Sequence, residues 1–215
     1  MSTTTVGGHV GPVYVSDGIE TQSFRQESHG GLVVQQSGGK YKEAVKRGNV
    51  YSAQTAATGV APGTALGTTA AFCLYNPAGS GKNLVVQKLG LGLISGTLGA
   101  GVVHITGFAA GDAVPTGTSI TPRNRCIGAS NSSIATALTT ATVTTTAAKM
   151  IGILCSLSQL VIATTATNPF DVEKDIDGEI VILPGYGICL HATAAAGSTP
   201  LVVFSATWEE EPAAA

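Results

Sequence analysis

Charge is what this chain has least of. Asp, Glu, Lys and Arg make up 11% of its 215 residues, less than half of the roughly 25% typical of soluble domains. So few charges cannot cover the surface of a domain this size. Either Thr, Ser, Gly and Ala pave that surface or neighbouring copies cover it, and the composition favours assembly. The net charge is −2, and the densest basic cluster is Lys40, Lys42, Lys46 and Arg47, interrupted by Glu43. No electrostatic track for a phosphate backbone is present, so nucleic acid is not an expected partner. Aromatic residues are scarce too, at 5% with a single tryptophan, which leaves little material for a stacking site.

Cysteine is equally sparse. Cys73, Cys126, Cys155 and Cys189 form no Cys-x-x-Cys pair, and they sit mostly in apolar runs such as AAFCLY and GYGICLH. That pattern reads as buried thiols in a reducing compartment. The N-terminal stretch MSTTTVGGHVGPVYVSDG lacks the basic-then-apolar build of a secretory signal. The longest uncharged apolar run, Met150 to Thr167, is broken by Ser156, Ser158, Gln159 and threonines. It is a poor membrane span, and no membrane partner is expected.

What the sequence does hold is β signal. Residues 1–48 alternate glycine pairs with short apolar fragments such as PVYV and GGLVVQQ, which predicts an extended N-terminal arm. Val13, Tyr14, Val15, Leu32, Val33 and Val34 are its candidate subunit contacts, because an arm cannot bury them by itself. Residues 49–215 predict one all-β domain, a β-sandwich of jelly-roll type with a Thr/Ala-rich insertion around 109–150. KNLVVQKLGLGLIS alternates, placing Val85, Gln87, Leu89, Leu91 and Leu93 on one face. SGTLGAG reads as a hairpin connection into VVHITGF. The C-terminal part reads as three successive strands, the last carrying Val202, Phe204, Ala206 and Trp208 on one face and ending in a solvated acidic tail. Around ILCSLSQL, helical and strand spacings both fit.

The chemistry-bearing motifs do not complete. NPAGSGKN ends in Gly-Lys like a phosphate-binding loop, but Asn76 stands where that loop needs glycine and Asn83 where it needs a hydroxyl for magnesium. A strand pattern follows in place of a helix, so the segment is expected to be a hairpin loop. Asp171, Glu173, Asp175 and Asp177 precede Gly178 as in the opening of a calcium loop, yet Pro184 falls where the closing bidentate glutamate belongs. A solvated turn leading into Ile180–Leu183 is the expectation, with weak calcium binding as its alternative. His9, His29, His104 and His191 lie in unrelated segments without metal-ligand spacing. No nucleophile motif or carboxylate dyad is recognisable, so no enzyme and no cofactor is expected.

YKEAVKRGNVYSA, then CLYNPAGSGKNLVVQKLGLGLISGTLGAG, DGEIVILPGYGICLHA and VVFSATWEE together resemble small virion structural proteins of tailed bacteriophages, over Tyr41 to Glu209. The resemblance implies a β-sandwich subunit that decorates or cements the capsid, or else a tail or fibre-attachment subunit. It implies the major capsid protein or neighbouring virion subunits as partners, a homo-oligomer (trimer or dimer) and localisation to the virion. A carbohydrate-binding sandwich is the further alternative.

Overall fold

The structure, a computed structural model, describes residues 39–108, 114–143, 149–157, 171–194 and 198–213, and the backbone of four short strands nearer the N-terminus. The chain divides into two units, Met1–Lys42 and Glu43–Ala215. In the first, β1 (Val13–Tyr14) pairs antiparallel with β2 (Glu20–Thr21), and β3 (Arg25–Gln26) with β4 (Leu32–Val33). A one-turn helix, α1 (Lys42–Lys46), lies at the division in sequence and is followed by Gly48 at φ 72°, a left-handed cap.

The second unit is a two-sheet β-sandwich. Its strands are β5 (Val50–Gln54), β6 (Thr69–Tyr75), β7 (Lys82–Ser95), β8 (Gly101–Phe108), β9 (Thr116–Ile120), β10 (Arg123–Asn124), β11 (Thr136–Thr142), β12 (Met150–Ser156), β13 (Asp171–Ile182), β14 (Gly187–Ala194) and β15 (Leu201–Pro212). One sheet has the order β10-β5-β15-β7-β13, the other β12-β8-β14-β6-β11-β9. All described pairings are antiparallel, and no strand of this unit pairs with its immediate neighbour in the chain. With β9 to β11 set aside, the remaining strands in chain order wind as first-eighth-third-sixth in one sheet and second-seventh-fourth-fifth in the other. That is the winding of a double-sheet jelly roll. The 109–150 insertion, whose sequence does not declare its structure, joins the fourth and fifth of these strands and adds β10 to one sheet and β11 and β9 to the other.

This topology corrects the expected hairpins. NPAGSGKN links β6 to β7, and SGTLGAG lies between β7 and β8, yet in both cases the two strands belong to different sheets. Both segments are therefore arches, one at each end of β7 and so over opposite ends of the sandwich. The Pro184-Gly185 turn between β13 and β14 also changes sheets. The segment ILCS is strand, within β12, and the rest of ILCSLSQL beyond Leu157 lies outside the described residues. No helix among the described residues is long and apolar enough to cross a membrane.

The core forms between the sheets. Along β15, Val202, Phe204, Ala206 and Trp208 are buried in strict alternation, and Tyr51 stacks on Trp208 at 6.4 Å between ring centroids. From the facing sheet come Phe72, Leu74, Val103, Ile105, Ile188 and Leu190. Strand β7 departs from its expected face. Leu84 and Val86 are buried in its first half and Leu89 and Leu91 in its second. Parity changes at Gln87, because Thr207 pairs with Lys88 while Trp208 pairs with Val86. One extra residue on β7 is a bulge, and a bulge transfers the inward set from one parity to the other. A second, smaller cluster lies on the other face of the six-stranded sheet, where Tyr75 stacks on Phe108 at 5.8 Å near Cys73, Leu138 and Cys189.

Phe204 is fully buried at the centre of this core. Phe204→Ala should cost about 3–5 kcal/mol, the usual cost of truncating a large buried aromatic. Urea unfolding followed by Trp208 fluorescence would show it as a lower midpoint with an unchanged slope.

Candidate functional sites

The phosphate-loop look-alike resolves into a polar lock. Asn76 is fully buried, and its Nδ2 donates to the carbonyls of Lys82 (2.7 Å) and Ile182 (2.9 Å), while its Oδ1 accepts from Ser80 Oγ (2.7 Å). The asparagine that breaks the motif is thus what holds this arch against the end of β13. Lys82, the motif's lysine, points at Glu210, with Nζ 3.2 Å from Oε2. Glu210 corrects the expected solvated tail: the inward alternation of β15 continues past Trp208 and buries this carboxylate. Its Oε1 accepts from Ser133 Oγ (2.6 Å) and from the Ile134 amide (2.9 Å). Tyr51 Oη donates to the Ser132 carbonyl at 3.3 Å, and burial, followed by the nearby Glu210 charge, raises its pKa above the ordinary phenol value. Glu210 therefore ties the closing strand to an arch on one side and to the insertion on the other. Its contacts to Lys82, Ser133 and the Ile134 amide make it a structural anchor.

A second cluster sits on the far face of the six-stranded sheet. Cys73 and Cys189 are directly paired across strands, as are His104 and His191, so histidines that look unrelated in sequence are cross-strand neighbours. The Cys73 thiol donates to Cys189 and, against the effect of burial and with help from His191, holds its pKa down to about 7; the same bond raises that of Cys73. Both thiols are buried, and neither of the two cavities described below is lined by them. All four cysteines are free, and burial pushes Cys155 up to about 11. Among the described residues no cluster of His, Cys, Asp and Glu is arranged to hold a metal ion.

The acidic segment, expected as a solvated turn with weak calcium binding as the alternative, is strand. Asp171, Glu173, Asp175 and Asp177 all lie on β13, an edge strand, and are exposed. Glu173 and Asp175 both pair with Lys88, Asp175 at 3.2 Å. Asp177 (φ 53°) and Gly178 (φ 87°) lie in a large bulge, in which the four residues between the paired Asp175 and Ile180 face only Gln87 on β7. Charge and a bulge on an edge strand block further strand pairing. Of the candidate arm contacts, Val13 and Tyr14 belong to β1, and Leu32 and Val33 to β4, while Val15 and Val34 lie outside the described residues.

Among the described residues two concave surfaces stand out, and sequence reasoning placed neither. On the outer face of the five-stranded sheet, pairing aligns Arg123, Ser52, Thr207, Lys88 and Asp175 in one row, and Gln54, Ser205, Gly90 and Glu173 in the next. All of these except Asp175 line a groove of about 480 Å³. The second depression, about 420 Å³, is mainly apolar, with Lys149 in its lining, and lies beside the two edge strands β12 and β13, between Ile151, Val181, Leu183 and Tyr186. These four, with Met150 and Ile153, are among the exposed large apolar residues. Lys174 Nζ donates across the same side of the sandwich to the Ile153 carbonyl at 2.7 Å. Row-forming residues come from distant strands, so only the register reveals them.

Comparison of the chain with protein-family models, with curated proteins and with solved structures gives no match in any of the three.

Removing the Glu210 carboxylate leaves a hydroxyl and an amide without their acceptor and Lys82 without its counter-charge. Glu210→Ala should cost about 3 kcal/mol, and Lys82→Met clearly less, because the lysine is partly exposed and its loss leaves Glu210 with two donors. Chemical denaturation of both variants checks the order. Glu209 gives a pH signature. Burial and then the Glu211 charge raise its pKa, against the Gln87 hydrogen bond and Arg47. A carboxylate with a folded pKa above its unfolded one destabilises the fold only once ionised, so its cost appears as pH rises through the folded value. Glu209→Gln should therefore raise the urea midpoint at neutral pH, and the gap should close below about pH 4.

Proposed function

We propose that this chain is a non-enzymatic structural subunit of a tailed-bacteriophage virion, and that it decorates or cements the capsid through repeated contacts with neighbouring subunits. The observation that carries the reading is the apolar strip beside the edge strands of a jelly-roll sandwich. Ile151 is 54% exposed, Val181 49% and Leu183 51%. A chain with so little charge elsewhere gains from having such a strip covered by a neighbouring subunit. The double-sheet jelly roll is an architecture that viral capsid domains use, and this adds support at the level of analogy. The sandwich supplies a rigid body, pinned at its end by Asn76 and Glu210. The arm, through Val13, Tyr14, Val15, Leu32, Val33 and Val34, adds contacts to a neighbour. Weak contacts repeated over many copies hold by avidity.

Quantitative mass spectrometry of purified virions tests the reading. Hundreds of copies per particle are expected for a capsid subunit; six or twelve would move the protein to the tail, and absence would end the virion assignment. In isolation, the double variant Ile151→Asp, Val181→Asp should keep the thermal midpoint and shift sedimentation towards the monomer. Unchanged self-association would remove the strip from the contact face.

A further inference from the structure

The groove on the outer face of the five-stranded sheet is independent of the apolar strip, and its chemistry points elsewhere. Its floor is made of the small residues Ser52, Ser205, Thr207 and Gly90. A Cβ at position 90 would collide with Ser205 Oγ, so the glycine keeps the floor low there. One wall carries Arg123 and Arg125, two residues apart and both exposed. Neither guanidinium has a partner among the described residues. The opposite wall is Lys88 with Glu173, an ion pair that is already satisfied. The groove thus offers two free planar cations on one side, hydroxyls and the Gln54 amide across the floor, and a carboxylate acceptor on the far side.

We infer that this groove binds an acidic saccharide, a carboxylate-bearing sugar chain whose carboxylate meets Arg123 and Arg125 while its hydroxyls meet the floor and Glu173. A guanidinium fork matches a carboxylate in two parallel hydrogen bonds. Ring hydroxyls match a floor of Ser, Thr and Gln, whose groups both donate and accept. No aromatic residue lines the groove, so single-stranded nucleic acid has no base-stacking platform there. An apolar peptide side chain would find almost no apolar wall. The volume lies within the ~300–1,000 Å³ range of ligand sites and accommodates a few sugar rings. Lacking stacking, the single site is weak, and affinity for a polymer comes from many copies on one surface.

The test uses the full chain with tetragalacturonate as probe, and with cellotetraose and inorganic phosphate as comparisons, by saturation-transfer NMR and calorimetry. Tetragalacturonate should bind with Kd about 1 mM, and Arg123→Ala with Arg125→Ala should weaken it about ten-fold or more. Ile151→Asp, on the apolar strip, should leave binding unchanged. Both arginines are exposed, so their variants keep the fold, which a thermal melt verifies. Equal binding of cellotetraose would overturn the role of the carboxylate. Full competition by equimolar phosphate would reduce the groove to a simple anion site, and absence of tetragalacturonate binding would overturn the inference outright. None of these outcomes bears on virion copy number, so this inference and the structural assignment fail separately.

Discussion

The closing strand β15 is the constraint on which the rest of the structure depends. It lies between β5 and β7 in the middle of its sheet, and the Phe204 amide meets the Thr55 hydroxyl 149 residues away in sequence. Among the described strands of the sandwich none pairs with its neighbour in the chain, so nearly all of the pairing entropy is lost in long-range steps. Register must then be fixed by side chains. Along β15 the inward positions hold Val202, Phe204, Ala206, Trp208 and finally Glu210. A slip by one residue would turn Trp208 to solvent and pull Glu210 away from Lys82, Ser133 and Ile134. A buried carboxylate is poor stabilisation in itself, but as a marker of register it penalises every wrong pairing.

The same logic explains what the sequence could and could not disclose. The alternation of β15 was legible because the strand is central and its inward set keeps one parity from Val202 to Glu210, with one face on the core. That of β7 was legible only in part. Its strict period of two runs through Gln87, whereas the bulge there is set by the strands on both sides, with Trp208 and Ile180 both facing Val86. A period reports the face of a residue and says nothing of which sheet its strand joins. NPAGSGKN therefore looked like a hairpin: turn chemistry is local, and the change of sheet is decided by partners far along the chain. Glu210 was misjudged because a run of three glutamates has no visible alternation, although the strand beneath it has. The polar groove could not have been found at all, since Arg123, Ser52, Thr207, Lys88 and Asp175 become neighbours only through register.

The scarcity of charge now has a spatial meaning. The outer face of the five-stranded sheet and its edge β13 hold Lys88, Arg123, Glu173 and Asp175. The corresponding face of the other sheet is built from cysteine, histidine, threonine and Tyr75 against Phe108. Between them, beside β12 and β13, lies the apolar strip. A molecule with one wet, hydrogen-bonding face and one apolar flank can occupy two environments at once, packing against its own kind through the flank while the polar face stays in water. In the proposed roles the flank and the groove do not compete, because Ile151 and Val181 line no part of the groove and Arg123 lines no part of the apolar depression, whose one charged lining residue is Lys149.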